Sequence, residues 1–125
     1  MKKILIIDDD QDILDAMGAV LELSGYNVVV LQDATKIAQQ VRTERPDVIL
    51  LDIMLNDLDG RSLCYILKAN EQYRFIPIIM FSGSQLEPEE VLRCGADDFI
   101  TKPFELDVLM QKIEAFQPVF RPSSL

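Results

Sequence analysis

The chain has 125 residues, the size of one domain, and 49% of them are hydrophobic, which suffices for a sizeable core and argues against disorder. Twelve Lys and Arg oppose 21 Asp and Glu, a formal net charge of −9, which disfavours a nucleic-acid-binding surface on this chain and favours protein partners or cations. There is no histidine, and Cys64 and Cys94 stand far apart without a C-x-x-C pair, so the common zinc arrangements are excluded and two buried thiols are expected.

The first apolar run, Ile4 to Ile7, reads as a buried strand that ends directly in Asp8, Asp9 and Asp10. It is too short for a signal peptide, and no later run is long enough to cross a bilayer, so a soluble cytoplasmic protein is expected. Ile13, Leu14, Met17, Val20 and Leu21 then recur at helical spacing before a stop at Ser24-Gly25. A second strand is expected over residues 28–31. A second helix follows from about residue 34 to 44, burying Ile37, Ala38 and Val41, and Pro46 forbids its continuation.

Val48 to Leu51 form the most apolar strand pattern, and Asp52 ends it. Asn56, Asp57, Asp59 and Gly60 are loop formers, so Asp52 should lie where a central strand gives way to a loop, the usual ligand crevice of an open α/β sheet. A third helix is expected after Gly60 with Leu63, Ile66 and Leu67 inward. The fourth strand should run over 78–81 after Pro77, followed by a Ser82-Gly83-Ser84 loop and a short, weak helix from Pro88 to about Arg93. Residues 99–101 make a fifth strand, Lys102-Pro103 a turn, and about 104 to 116 an amphipathic helix. Residues 118–125, with two prolines and two serines, read as a tail or the start of a linker after a domain of residues 1–117.

Alternating strands and helices predict a doubly wound five-stranded parallel sheet with helices on both faces. In the order 2-1-3-4-5, Asp8, Asp9 and Asp52 converge at the switch point. Carboxylates about 5 Å apart repel by roughly 3 kcal/mol per pair at an effective dielectric near 20, a cost folding alone does not explain. A hard cation does: Mg2+ takes oxygen ligands and keeps several waters, and it would neutralise an incoming phosphoryl group and make Asp52 a candidate nucleophile. The Ser82 hydroxyl after strand four and the Lys102 ammonium after strand five could each contact a phosphoryl oxygen. Taken singly, each is ordinary loop chemistry, and for Asp10, Asp57 and Asp59 a turn or cap role is the better account. The joint placement of all four groups is what carries the functional reading.

Across Lys3 to about Phe116 the chain resembles the receiver domain of bacterial two-component response regulators. KKILIIDDD is similar to that family's opening strand and acid pair, LLDIMLNDLDG to its phosphoacceptor loop, IIMFSG to its fourth strand and switch hydroxyl, and GADDFITKPF to its lysine-proline signature. The resemblance implies that Asp52 accepts a phosphoryl group from a sensor histidine kinase or phosphotransfer protein. It implies Mg2+ held by Asp9, Asp52 and the backbone carbonyl of Met54, with Asp8 orienting a metal-bound water. Lys102 would pair with the phosphoryl group, Ser82 would move to bond it, and Phe99 would rotate inward.

The fourth helix, fifth strand and fifth helix would then form the surface that changes, signalling to an output protein or an effector domain outside this chain, or pairing with a second copy. Such a chain is not an enzyme beyond its own phosphorylation and dephosphorylation, and it contacts neither membrane nor nucleic acid directly. Family members commonly have a cis bond before the proline at position 103. Where many carry proline four residues after the phosphoacceptor, this chain has Asn56, which suggests a less rigid loop, and Phe99 stands where tyrosine is frequent. The Ser82-to-Lys102 interval is slightly short for the family, in keeping with the weak fourth helix.

Two other readings stay open on sequence alone. A phosphorylation-independent scaffold with the same fold would bind its partner without phosphate. A Mg2+-dependent aspartyl phosphatase would carry Asp-x-Asp after its first strand, which Asp8-Asp9-Asp10 matches only loosely. A flavin-binding module is disfavoured, because three aspartates would repel the phosphate.

Overall fold

A computed structural model of the chain describes residues 2–83 and 87–116; the expected tail at 118–125 and Ser84 of the loop after the fourth strand lie outside the described residues. Five parallel strands form the main sheet: β1 (Lys3–Ile7), β2 (Asn27–Leu31), β3 (Val48–Asp52), β6 (Ile78–Ser82) and β7 (Asp98–Thr101). Their spatial order is β2-β1-β3-β6-β7, the expected order once two short intervening strands are numbered. Those two, β4 (Met54–Leu55) and β5 (Leu58–Asp59), pair antiparallel in the loop after Asp52.

Side-chain alternation along the strands divides the core. Leu5, Ile7, Ile49 and Leu51 face one way, packing with residues of α2 (Ile37–Glu44), α3 (Gly60–Ala69) and α4 (Pro88–Leu92). Ile4, Ile6, Val48 and Leu50 face the other, against α1 (Gln11–Leu23) and α5 (Leu106–Glu114). All residues of β3 and β6 are buried, which is why their sequences show no polar alternation before Asp52 and Ser82.

Helix ends follow the predicted punctuation. Asp10 caps α1 by accepting from the Asp12 N–H, and Asp59 caps α3 by accepting from the Arg61 N–H, the roles expected of these two acids. Gly25 takes φ 97° just after α1, a conformation that glycine adopts without penalty.

Three local expectations are corrected. The second helix opens as a 3-10 turn over Ala34–Lys36, and its inward stripe is Ala34, Ile37 and Val41; Ala38 is exposed because it lies about 100° round from Ile37. On α3, Cys64 and Leu67 are buried whereas Ile66 is 60% exposed, since it lies about 100° round the helix from Leu67, off the buried stripe. The last helix starts at Leu106 rather than Phe104, whose ring packs edge-on against Phe81 with centroids 6.4 Å apart.

Candidate functional site

Strand register builds the site. Ile7 pairs with Leu51, so the next residues, Asp8 and Asp52, leave neighbouring strands side by side. Asp52 pairs with Phe81 and Ser82 with Thr101, so Ser82 and Lys102 each follow one step beyond the last pair to their left. The carboxyl ends of β1, β3, β6 and β7 thus deliver the expected acids, hydroxyl and lysine to one edge of the sheet, beside the point where chain order reverses.

Carboxylate oxygens of Asp8, Asp9 and Asp52 all lie within 4.8 Å of one another. Asp8 is 1% exposed and Asp52 5%. The Lys102 ammonium bridges them, 3.4 Å from Asp8 Oδ2 and 3.4 Å from Asp52 Oδ2, and it also sits 4.7 Å from the centroid of the Phe81 ring. The peptide bond between Lys102 and Pro103 is cis.

Backbone donors fix the remaining oxygens. The Met54 N–H donates to Asp52 Oδ1 at 3.1 Å, the Asn56 N–H to Asp9 Oδ2 at 3.1 Å, and the Asp10 N–H to Asp8 Oδ1 at 2.9 Å. Burial pushes the Asp8 carboxyl up to about 6; the Asp10 N–H and Lys102 oppose this, and the charge of Asp52 adds to it. A carboxyl raised chiefly by burial, and further by a second acid beside it, marks a site short of positive charge. Its donor set is oxygen alone, suited to a hard divalent cation.

The structure therefore brings Asp8, Asp9, Asp52 and Lys102 into contact. Met54 reaches the site through its backbone, while its side chain is 62% exposed. Ser82 is fully buried at the adjoining strand end, and its carbonyl accepts from the Lys102 N–H at 2.8 Å. Phe99 is set back: it pairs with Met80 one strand over and is half-buried against the α2–α4 side of the core.

Sequence reasoning missed three contributors. Gly60, read only as a loop former, starts α3 so close to β3 that a Cβ there would lie 2.1 Å from the Asp52 carbonyl oxygen. Gln32 at the end of β2 donates from Nε2 to the Asp9 carbonyl at 3.1 Å. Asn56 takes φ 54° at the first position of the two-residue turn between β4 and β5, a sign that a primed hairpin turn requires and proline cannot supply. Only an asparagine at a turn hints at the last of these; nothing in sequence spacing marks the first two.

The family model for the response regulator receiver domain matches residues 4–114. The transcriptional regulatory protein PhoP of Bacillus subtilis is 38% identical over 98% of this chain and 52% of its own length. KdpE of Staphylococcus aureus is 40% identical over 94% of this chain and 50% of its own. The chain thus spans about half the length of these curated relatives. Among solved structures, the BeF3-activated receiver domain of Klebsiella pneumoniae RstA superposes with a TM-score of 0.83 at 29% identity, covering 91% of this chain and 97% of that one. The receiver domain of the Pseudomonas aeruginosa sensor histidine kinase PA1611, which holds a magnesium ion in its active-site cleft, has a TM-score of 0.83 at 28% identity, covering 92% and 96%.

Proposed function

The chain belongs to the response regulator receiver family, and from that premise we propose that Asp52 is its phosphoacceptor, working with Mg2+, Asp8, Asp9, Lys102 and Ser82. The observation that carries the reading is the Lys102 ammonium lying 3.4 Å from both Asp8 and Asp52 within a set of three acids whose oxygens approach to 4.8 Å.

An Asp52 carboxylate oxygen attacks the phosphorus of a phosphohistidine. The new O–P bond forms as the N–P bond breaks, and the electron pair returns to the departing imidazole nitrogen. Lys102 balances charge on the transferred group, and hydrolysis by water restores the carboxylate. Asp9 and Asp52 with the Met54 carbonyl would hold Mg2+, and Asp8 would act through its hydration shell. Bound there, Mg2+ supplies the charge neutralisation that phosphoryl transfer needs. The hydrogen bonds from the Met54 and Asn56 N–H groups hold Asp52 and Asp9 in place beforehand, so little reorganisation remains.

Signalling follows by population shift. A phosphorylated Asp52 favours the arrangement in which the Ser82 hydroxyl bonds the phosphoryl group and Phe99 moves inward, which alters the face made by α4, β7 and α5. That face is offered to an output protein, to an effector region of a longer chain, or to a second copy. The charge of −9 argues that this part of the chain does not itself hold nucleic acid. Residues 1–117 make up the proposed receiver unit.

The test is intact mass after incubation with Mg2+ and acetyl phosphate, with Asp52→Asn alongside. The expected result is a base-labile phosphoryl adduct that requires Mg2+ and is missing from Asp52→Asn. Absence of an adduct with both acetyl phosphate and a phosphorylated histidine kinase would overturn the reading and favour a phosphate-independent scaffold.

A further inference from the structure

Away from the acid pocket, the chain's two cysteines meet across the α3–α4 boundary. Cys64 on α3 is fully buried, and Cys94, two residues past α4, is 8% exposed. The Cys64 Sγ donates toward the Cys94 carbonyl oxygen, 3.6 Å away, although 30 residues separate the two cysteines. On its other side the Cys94 Sγ lies 3.0 Å from the Val91 carbonyl and 3.6 Å from Met80 Sδ.

The pair is not symmetric. Cys94 lines a groove of about 400 Å³ between α3 and α4, whose charged lining is Arg61, Arg93 and Glu90, with Arg61 paired to Asp59 at 2.7 Å, whereas Cys64 is sealed behind it. Two thiols kept only to fill the core need no opening. One cysteine at an opening near arginines, with a second cysteine immediately behind it, is the arrangement of an attacking and a resolving thiol.

We propose that Cys94 and Cys64 form a reversible disulfide by exchange with small-molecule disulfides entering through the α3–α4 groove. The Cys94 thiolate attacks one sulfur of RSSR, forming a Cys94–SR mixed disulfide and releasing RS−. Cys64 then loses its proton to solvent and its sulfur attacks Cys94 Sγ, forming the Cys64–Cys94 bond and expelling the second RS−. Two protein thiols are oxidised and one RSSR is reduced to two thiols, so atoms and electrons balance.

The electrostatics agree with this order. The neighbouring Cys64 thiol lowers the Cys94 thiol against the opposing effect of burial, with the Ala96 N–H and the Arg61 charge helping. The proximity of the Cys94 thiol, and burial, push Cys64 up. The bridge would fasten the end of α4 to α3, the helix whose first residue closes on Asp52. Any effect of that fastening on signalling rests on the phosphoacceptor reading above; the thiol chemistry does not.

The whole chain is incubated with bis(2-hydroxyethyl) disulfide, without Mg2+ or phosphodonor, then quenched in acid, alkylated and peptide-mapped. Failure here therefore leaves the Asp52 reading untouched. The expected wild-type product is a crosslink between the peptides of Cys64 and Cys94. Cys64→Ser should stop at a mixed disulfide on Cys94, and in Cys94→Ser exchange at Cys64 should slow by an order of magnitude or more. The proposal is overturned if both wild-type cysteines still alkylate after a free cysteine peptide has exchanged fully, or if Cys64 exchanges undiminished in Cys94→Ser. Should either serine variant unfold, the wild-type crosslink decides alone.

Discussion

Asp8 is the residue whose surroundings conflict most with its chemistry. It is all but sealed from water and has a second carboxylate beside it, and Lys102 must serve both acids. In the unfolded chain it titrates at its ordinary value of 3.8, in the folded one at about 6. Between those values the folded state holds more protons, so stability from this group is fully present below pH 4 and is lost as pH rises through 6. A shift of that size corresponds to about 3 kcal/mol. In EDTA at pH 8, Asp8→Asn should therefore be more stable than the wild type by an amount on the order of 1–3 kcal/mol, and the gap should close toward pH 4. Urea denaturation of both proteins at the two pH values measures this, and equal midpoints at pH 8 would remove the argument for a cation at the site. Adding Mg2+ at pH 8 should narrow the gap, since only the wild type keeps all three acids.

At the scale of elements, the tightest join is between β3 and α3. Gly60 donates its N–H to the Ile53 carbonyl at 2.7 Å, and the space where a Cβ would stand holds the Asp52 carbonyl oxygen, 2.1 Å away. Backbone cannot yield as a flexible side-chain tip can. Gly60→Ala should thus cost on the order of 1–3 kcal/mol and displace the end of β3. Gly83, where an added Cβ would meet none of the described residues within 4 Å, is the control: Gly83→Ala should stay within about 0.5 kcal/mol. Urea midpoints report the cost, and the rate of phosphoryl adduct formation on Asp52 should fall in Gly60→Ala if the strand end moves. Equal midpoints for the two variants would show that the join is slack.

The same join marks how far sequence could be read. β3 and β6 are buried on both faces, so their apolar runs named them without ambiguity, and acids placed at strand ends follow from strand existence plus parallel order. Closeness between backbones leaves no such trace, which is why Gly60 was legible only as a turn residue. Side-chain facing was legible for Leu14 and Leu21, and failed for Ile66, which lies at the margin of the stripe that Cys64 and Leu67 bury. The hairpin of β4 and β5 was invisible because two-residue strands carry no periodicity; only Asn56-Asp57 between two leucines hints at it. Asp9 and Asp52 were found by the spacing of acids, whereas Gln32, which bonds the Asp9 backbone from another strand, depends on tertiary placement alone.

For the molecule as a whole, the governing quantity is the excess of 21 acids over 12 bases, concentrated in part where three of those acids crowd one sheet edge. Two remedies for such repulsion behave differently. Screening by salt acts on all exposed charges within a Debye length of about 10 Å at 0.1 M and acts little on Asp8 and Asp52, which are buried. A cation bound by Asp9 and Asp52 acts there directly, and because the unfolded chain lacks the site, binding adds RT ln(1 + [L]/Kd) to stability. At ten times Kd this is about 1.4 kcal/mol, on the order of 5 °C in melting temperature for a domain of this size. Millimolar Mg2+ should accordingly raise the melting temperature well beyond NaCl of equal ionic strength. Asp9→Asn and Asp52→Asn should each abolish the difference between the two salts while keeping the response to NaCl. A melting curve that rises equally with either salt would mean that the acids are merely screened, and that neither Asp9 nor Asp52 is a ligand.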